Sequence, residues 1–177
     1  MLTGCNNIKK ENTETGIRQV ENKDTNISKI KKESVPDFAK SLDDALKIFH
    51  NHNFGEANMD SINIDKIKVE FTNELFILNI EGFKDGKIYK LKIDDDAQIL
   101  DEKIEKDTTN KTLALDFKNI ISGVDAMEKA LENQAKGAWV KRYELKIEND
   151  KAIYDINIAE GKDVKIDAAS GEIIERE

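Results

Sequence analysis

The chain runs through one pattern twice. Ser41-Leu42-Asp43-Asp44-Ala45-Leu46 opens one block and Ser122-Gly123-Val124-Asp125-Ala126-Met127 opens another. Each block continues into alternating apolar and polar residues and reaches a Lys-Ile-Asp turn, at Lys92-Ile93-Asp94 and at Lys165-Ile166-Asp167. Such an internal repeat means one supersecondary unit used twice, which restricts the architecture more than any single residue does.

Each block begins with a helical signal. Ser41 and Ser122 stand as N-caps, with Asp44 and Asp125 three residues on in capping-box-like positions. Leu42, Ala45, Leu46 and Phe49 share one helical face, so a short helix is expected to end near Asn51. Val124, Met127, Ala130, Leu131 and Ala135 form the second stripe, stopped by Gly137, and predict a second helix longer than the first. The period then falls to two. Ile67, Val69 and Phe71 alternate with polar residues, as do Tyr143, Leu145 and Ile147, and short turns such as Lys84-Asp85-Gly86-Lys87 and Asn149-Asp150-Lys151 reverse the chain. Short reversals make the strands antiparallel. The expected fold is α+β: two tandem units, each one helix on a curled antiparallel sheet of three to four strands.

The boundaries follow from composition. Residues 1–34 hold seven Lys/Arg and five Asp/Glu, with no aromatic residue, and read as a disordered tether that cannot bury enough surface to offset its ordering entropy. Residues 35–106 form the first unit and 122–177 the second. The linker 107–121 carries Leu113, Leu115 and Phe117, which are expected to lie against the sheets and join the units into one body.

Outside the tether, 21 basic residues stand against 31 acidic ones, a balance that repels a phosphate backbone and argues against nucleic-acid binding. Nothing approaches the roughly 18 successive apolar residues of a spanning helix. Gly-x-Ser-x-Gly, His-Glu-x-x-His and a glycine-rich phosphate loop are all missing from the sequence, so no catalytic residue is nominated and the chain is not read as an enzyme. No cofactor is expected.

Leu2-Thr3-Gly4-Cys5 resembles the lipobox at which bacterial lipoprotein precursors are cleaved before an acylated cysteine. That resemblance implies lipidation at Cys5 and a body held on the outer face of the cell membrane. Acyl chains add about 0.8 kcal/mol per buried methylene, so two or three anchor firmly.

The repeated outline resembles the PepSY domain of thermolysin-type peptidase propeptides and bacterial envelope proteins. The second unit carries it best, in Ser122 to Ala126, Ala130, Tyr154 to Ile158, and Asp167-Ala168-Ala169-Ser170-Gly171-Glu172-Ile173-Ile174. The first departs at Asp94-Asp95-Asp96-Ala97-Gln98-Ile99-Leu100, which lacks the glycine, and at the Gly82 to Lys87 insertion. The resemblance implies a cystatin-like fold and a role in binding or restraining a secreted or envelope peptidase. The alternative is a small-ligand or ion-binding envelope lipoprotein that uses a groove between the units.

Candidate binding residues lie where the blocks diverge, in the hairpin Gly82, Phe83, Lys84, Asp85, Gly86 and Lys87. Trp139 and Tyr143, four apart on a strand, could share an exposed aromatic face with Phe54 and Met59 nearby, although such a face is more often core. No metal site is assigned. His50 and His52, the chain's two histidines, point apart on a helix and have no thiol to complete a zinc set. Asp94, Asp95, Asp96 and Glu105 resemble a calcium loop, but Ile99 occupies the place that needs glycine.

Overall fold

The computed structural model describes residues 35–55, 62–72 and 75–177, the side chains of 35–41, 72 and 75 excepted. In chain order the elements are α1 (Val35–Phe54), β1 (Asn63–Thr72), β2 (Leu75–Lys84), β3 (Lys87–Asp94) and β4 (Ile99–Lys106). There follow α2 (Gly123–Leu131), β5 (Trp139–Glu148), β6 (Lys151–Ala159), β7 (Val164–Asp167) and β8 (Ile173–Arg176). The turn Asn73-Glu74 and Met59 fall outside the described residues, as does the segment 1–34 with Cys5.

All eight strands form one antiparallel sheet in the order β4-β3-β2-β1-β5-β6-β7-β8. This corrects the expectation of two separate sheets. Strands β1 and β5 pair antiparallel, with Ile67 opposite Leu145 and Val69 opposite Tyr143. An unpaired strand edge exposes a row of backbone donors and acceptors, and pairing these two strands removes two edges at once.

The alternation read from sequence sets the two faces. Ile67, Val69, Leu78, Ile80, Leu91 and Ile93 of β1–β3 are buried, as are Leu145, Ile156 and Ile166 of β5–β7. Ala45 and Phe49 of α1 and Ala126 and Ala130 of α2 pack against this apolar face. Each fully buried aliphatic side chain contributes about 1.5–3 kcal/mol.

The helices differ from expectation in length. The first spans 20 residues and the second 9, the reverse of the predicted order. Ser41 lies inside α1, which begins at Val35, so the helix does not start where the sequence placed its cap; Pro36 is tolerated in the first turn, where its missing N–H has no partner to lose. Ser122 does cap α2, accepting a hydrogen bond from the Asp125 N–H. Its far end stops early because other groups take the carbonyls there: the Arg176 guanidinium donates to Ala130 O and Glu132 O, and the Gln134 amide donates to Ala130 O while also reaching Lys162 O beyond β6.

The connection 107–121 crosses one end of the sheet. Its backbone donates to Gly86 O from Asp107, to Ile64 O from Leu115, and to Ala168 O from Ile121. Of its three alternating hydrophobic residues only Leu115 is buried; Leu113 and Phe117 stay exposed. Charge fastens it instead. The Asp107 carboxylate accepts from Thr109 N, Thr109 Oγ1 and Lys111 N, and the Lys111 ammonium binds both Asp65 and Glu81.

Candidate functional site

The hairpin singled out in the sequence divides into a packed base and an exposed tip. Gly82 and Phe83 are buried. A Cβ on Gly82 would lie 2.9 Å from Asn63 O, so this glycine lets β2 approach the bulge in β1 between Ile64 and Lys66. Asp85 and Gly86 make the two-residue turn with φ of 50° and 70°, the conformation a tight hairpin requires. Lys84 projects its ammonium over the Phe54 ring, 5.0 Å from the centroid, and Phe54 itself packs on Tyr89 with centroids 4.8 Å apart. Of the hairpin only Asp85, Gly86 and Lys87 are exposed.

The structure does not bring Trp139 and Tyr143 together. A bulge between Val140 and Arg142 inserts one residue into β5, which reverses the facing of everything beyond it. Val140 and Tyr143 therefore both enter the core, and Trp139 points to the other face. Tyr143 is 2% exposed, its ring 5.7 Å from that of Tyr154, and burial pushes its hydroxyl pKa well above the ordinary value. Burial raises that of Tyr154 too, and its hydroxyl donates to Ile121 O, tying the connection to β6.

Both histidines lie in α1, where the Nε2 of His52 contacts Glu102 of β4. Glu105 is held by Lys103 and Lys90, and those hydrogen bonds bring its carboxyl pKa down to about 2. Asp94 turns its carboxylate onto the Gln98 N–H. Among the described residues no three His, Cys, Asp or Glu side chains converge to hold a metal.

Two charged features escaped the sequence. The face away from the helices is a lattice of ion pairs: Lys66–Glu144, Lys68–Glu70, Lys90–Glu81, Lys146–Asp155 and Lys165–Glu175. A shallow groove of about 420 Å³ lies on it, with Lys66, Lys68, Asn79, Glu81, Lys90 and Lys92 in its lining. The second is the Asp65–Lys111–Glu81 cluster, in which burial, the leading cause, raises the Asp65 pKa. Only the strand alternation hinted at the lattice; Asp65 and Lys111, far apart in sequence, gave no local signal.

Among the described residues, the outermost strands β4 and β8 are each paired on one side only. Ile99, Leu100 and Ile104 are exposed on β4, and Ile173 and Ile174 on β8. This geometry defines a class: an α+β protein built on one antiparallel sheet, with helices on one face, a charged lattice on the other and two outermost strands paired on one side only.

Residues 120–177, from just before α2 to the end of the sequence, match the family described as the peptidase propeptide and YPEB domain, PepSY. The whole fold is similar to a crystal structure from Clostridium difficile 630 described as a "putative lipoprotein", with 27% identity and a TM-score of 0.62. That likeness covers 77% of this chain and 91% of the other. Among curated proteins none matches. The two similarities point to an extracytoplasmic, envelope-associated module.

Proposed function

We propose that the chain is a non-enzymatic binding module, anchored by lipid at Cys5 on the outer face of the membrane, that binds or restrains a secreted or envelope peptidase. The observation that carries this reading is the PepSY match at 120–177, a family described through peptidase propeptides. The likeness to a protein described as a lipoprotein, together with the Leu2-Thr3-Gly4-Cys5 sequence, supports the anchor. We read α1 and β1–β4 as a second, diverged copy of the same unit, because the strand order is mirrored about the β1–β5 seam. Of the two outermost strands, β8 lies within the matched segment, and an exposed edge is a template on which an extended segment of a partner adds as a strand.

The test is to pass native envelope extract over the immobilised full chain and follow total peptidase activity. Retention of that activity, lost when Ile174→Lys places a charge on the β8 edge, is the expected result. Activity that flows through undiminished would remove the peptidase reading. The anchor is checked separately, since Cys5→Ser should move the protein from the membrane fraction to the soluble one.

A further inference from the structure

We infer that the β4 edge is a self-complementary interface through which two copies of this chain pair into one continuous sheet. Read in reverse, residues Glu102-Lys103-Ile104-Glu105-Lys106 carry the opposite charge at every charged position. Laid antiparallel on a second copy with Ile104 at the two-fold axis, Glu102 meets Lys106 and Lys103 meets Glu105, each pair occurring twice. All four charged pairs are then of opposite sign. Moving the axis half a residue one way opposes Glu102 to Glu105, and half a residue the other way opposes Lys103 to Lys106. An axis on Lys103 or on Glu102 sets that residue against its own copy. The four central pairs therefore select one register, which also sets Asp101 of each copy opposite Asp107, one residue past the end of the other's β4.

An independent feature of the sheet supports the same register. Within the chain, β3 places Lys90 directly opposite Lys103 and Lys87 directly opposite Lys106. Like charges directly opposite each other in an antiparallel pair are destabilising. The chain's own Glu105 bridges Lys90 and Lys103, so the support comes from Lys87 and Lys106: pairing with a second copy would put Glu102, which contacts His52 within its own chain, on the open side of Lys106.

The apolar part agrees. Ile104 is 58% exposed, the most exposed large hydrophobic residue among those described, and it faces the helix side beside its ladder partner Tyr89. At the axis it meets its own copy. The other edge lacks this property: β8 has four residues, its Ile174 would oppose Glu175 in an end-to-end pairing, and its Arg176 is committed to the carbonyls closing α2. A two-fold interface is isologous and closes at two copies, so the product is a dimer and no filament follows. Short and bordered by exposed charge, it is a weak interface at the small end of the range.

Sedimentation of the full chain over a concentration series tests the inference. Wild type should show a monomer–dimer equilibrium that weakens with salt. Lys103→Glu alone and Glu105→Lys alone each place two like-charged pairs across the axis, and each should weaken the dimer about tenfold. Mixed together, the two variants should recover wild-type affinity as a heterodimer, because Glu at 103 then meets Lys at 105 and Lys at 103 meets Glu at 105. Rescue by mixing cannot arise from pairs within a chain. A variant carrying Cys5→Ser and Ile104→Cys should also form an oxidised dimer, since opposed residues of neighbouring strands lie within disulfide reach. A wild type monomeric throughout, or single variants that dimerise like wild type, or a mixture no tighter than its components, would overturn the proposal.

Discussion

At the end of β7 the chain turns into β8 through Asp167-Ala168-Ala169-Ser170-Gly171-Glu172, while at the end of β3 it turns into β4 through Asp94-Asp95-Asp96-Ala97-Gln98, one residue shorter. Both turns use an aspartate to hold backbone donors. Asp167 accepts from Ala169 N and Ser170 N at 3.0 and 2.9 Å, and Asp94 accepts from Gln98 N at 2.8 Å. Each needs one residue in the left-handed region, and each is followed by a shift in strand register. In the second half that residue is Gly171, with φ of 71°; in the first it is Ala97, with φ of 62°. The glycine missing from the first turn has thus left its conformation behind, borne by a residue that dislikes it.

A second contrast lies above the sheet. The longer helix α1 buries Phe49, whereas α2 buries only Ala126 and Ala130. A Cβ on Gly123 would lie 2.9 Å from the Tyr143 hydroxyl, so α2 sits low on its half, and small residues allow it to. The largest predicted effect follows. Phe49→Ala should cost about 3–5 kcal/mol through the cavity it opens, against about 1 kcal/mol for Ala130→Gly, which loses mainly helix propensity. Denaturant unfolding measures both. Equal costs would mean that the two helices are seated alike. Because β1 and β5 share one ladder, a single transition is expected for each variant.

The turns give the next largest effect, with opposite signs. Gly171→Ala should destabilise by about 1–2 kcal/mol, since left-handed geometry costs an L residue about that much. The new Cβ would also lie 3.1 Å from Cε of Lys129, a contact that the flexible lysine can relieve. Ala97→Gly should instead stabilise by up to about 1 kcal/mol, the relief of strain being partly offset by the greater freedom of glycine in the unfolded chain. Thermal melts of the two variants decide it. If Ala97→Gly destabilises, the turns are not equivalent and the argument for a diverged copy loses its best structural support.

How much of this was legible in the sequence depends on the range of the forces involved. Alternation at Ile67, Val69 and Phe71, or at Tyr143, Leu145 and Ile147, placed strands correctly because burial on one face of a pleat is recorded every second residue. The Ser122 cap and the two-residue turns were legible for the same reason, each being local. The β1–β5 seam was not, because nothing within a strand names its distant neighbour. Neither was the bulge at Val140–Arg142, and missing it put Trp139 and Tyr143 on a common face they do not share. The end of α2 was set by Gln134 and Arg176, the latter 44 residues beyond the Glu132 carbonyl that it caps. Local pattern ran on toward Gly137; tertiary hydrogen bonds cut it short.

The smallest predicted effect concerns acid. Hydrogen bonds from the Ser170 and Ala169 backbone hold the Asp167 carboxyl below its ordinary pKa of 3.8, the Ser170 amide contributing most. In the unfolded chain the group returns to that ordinary value. As pH falls the unfolded chain therefore takes up the proton first, so the stability from this group is present above about pH 4 and is lost as pH drops through the folded pKa. Asp107 behaves with the same sign, its Thr109 hydrogen bond leading. Asp167→Asn keeps a side-chain oxygen to accept from Ala169 and Ser170 but removes the titration. Its melting temperature should fall less steeply than wild type below about pH 4, and match wild type more closely at the acid end than at neutrality. Parallel melting curves for the two proteins would show that the turn is held by its backbone alone, leaving no role for the charge that both halves place at its first position.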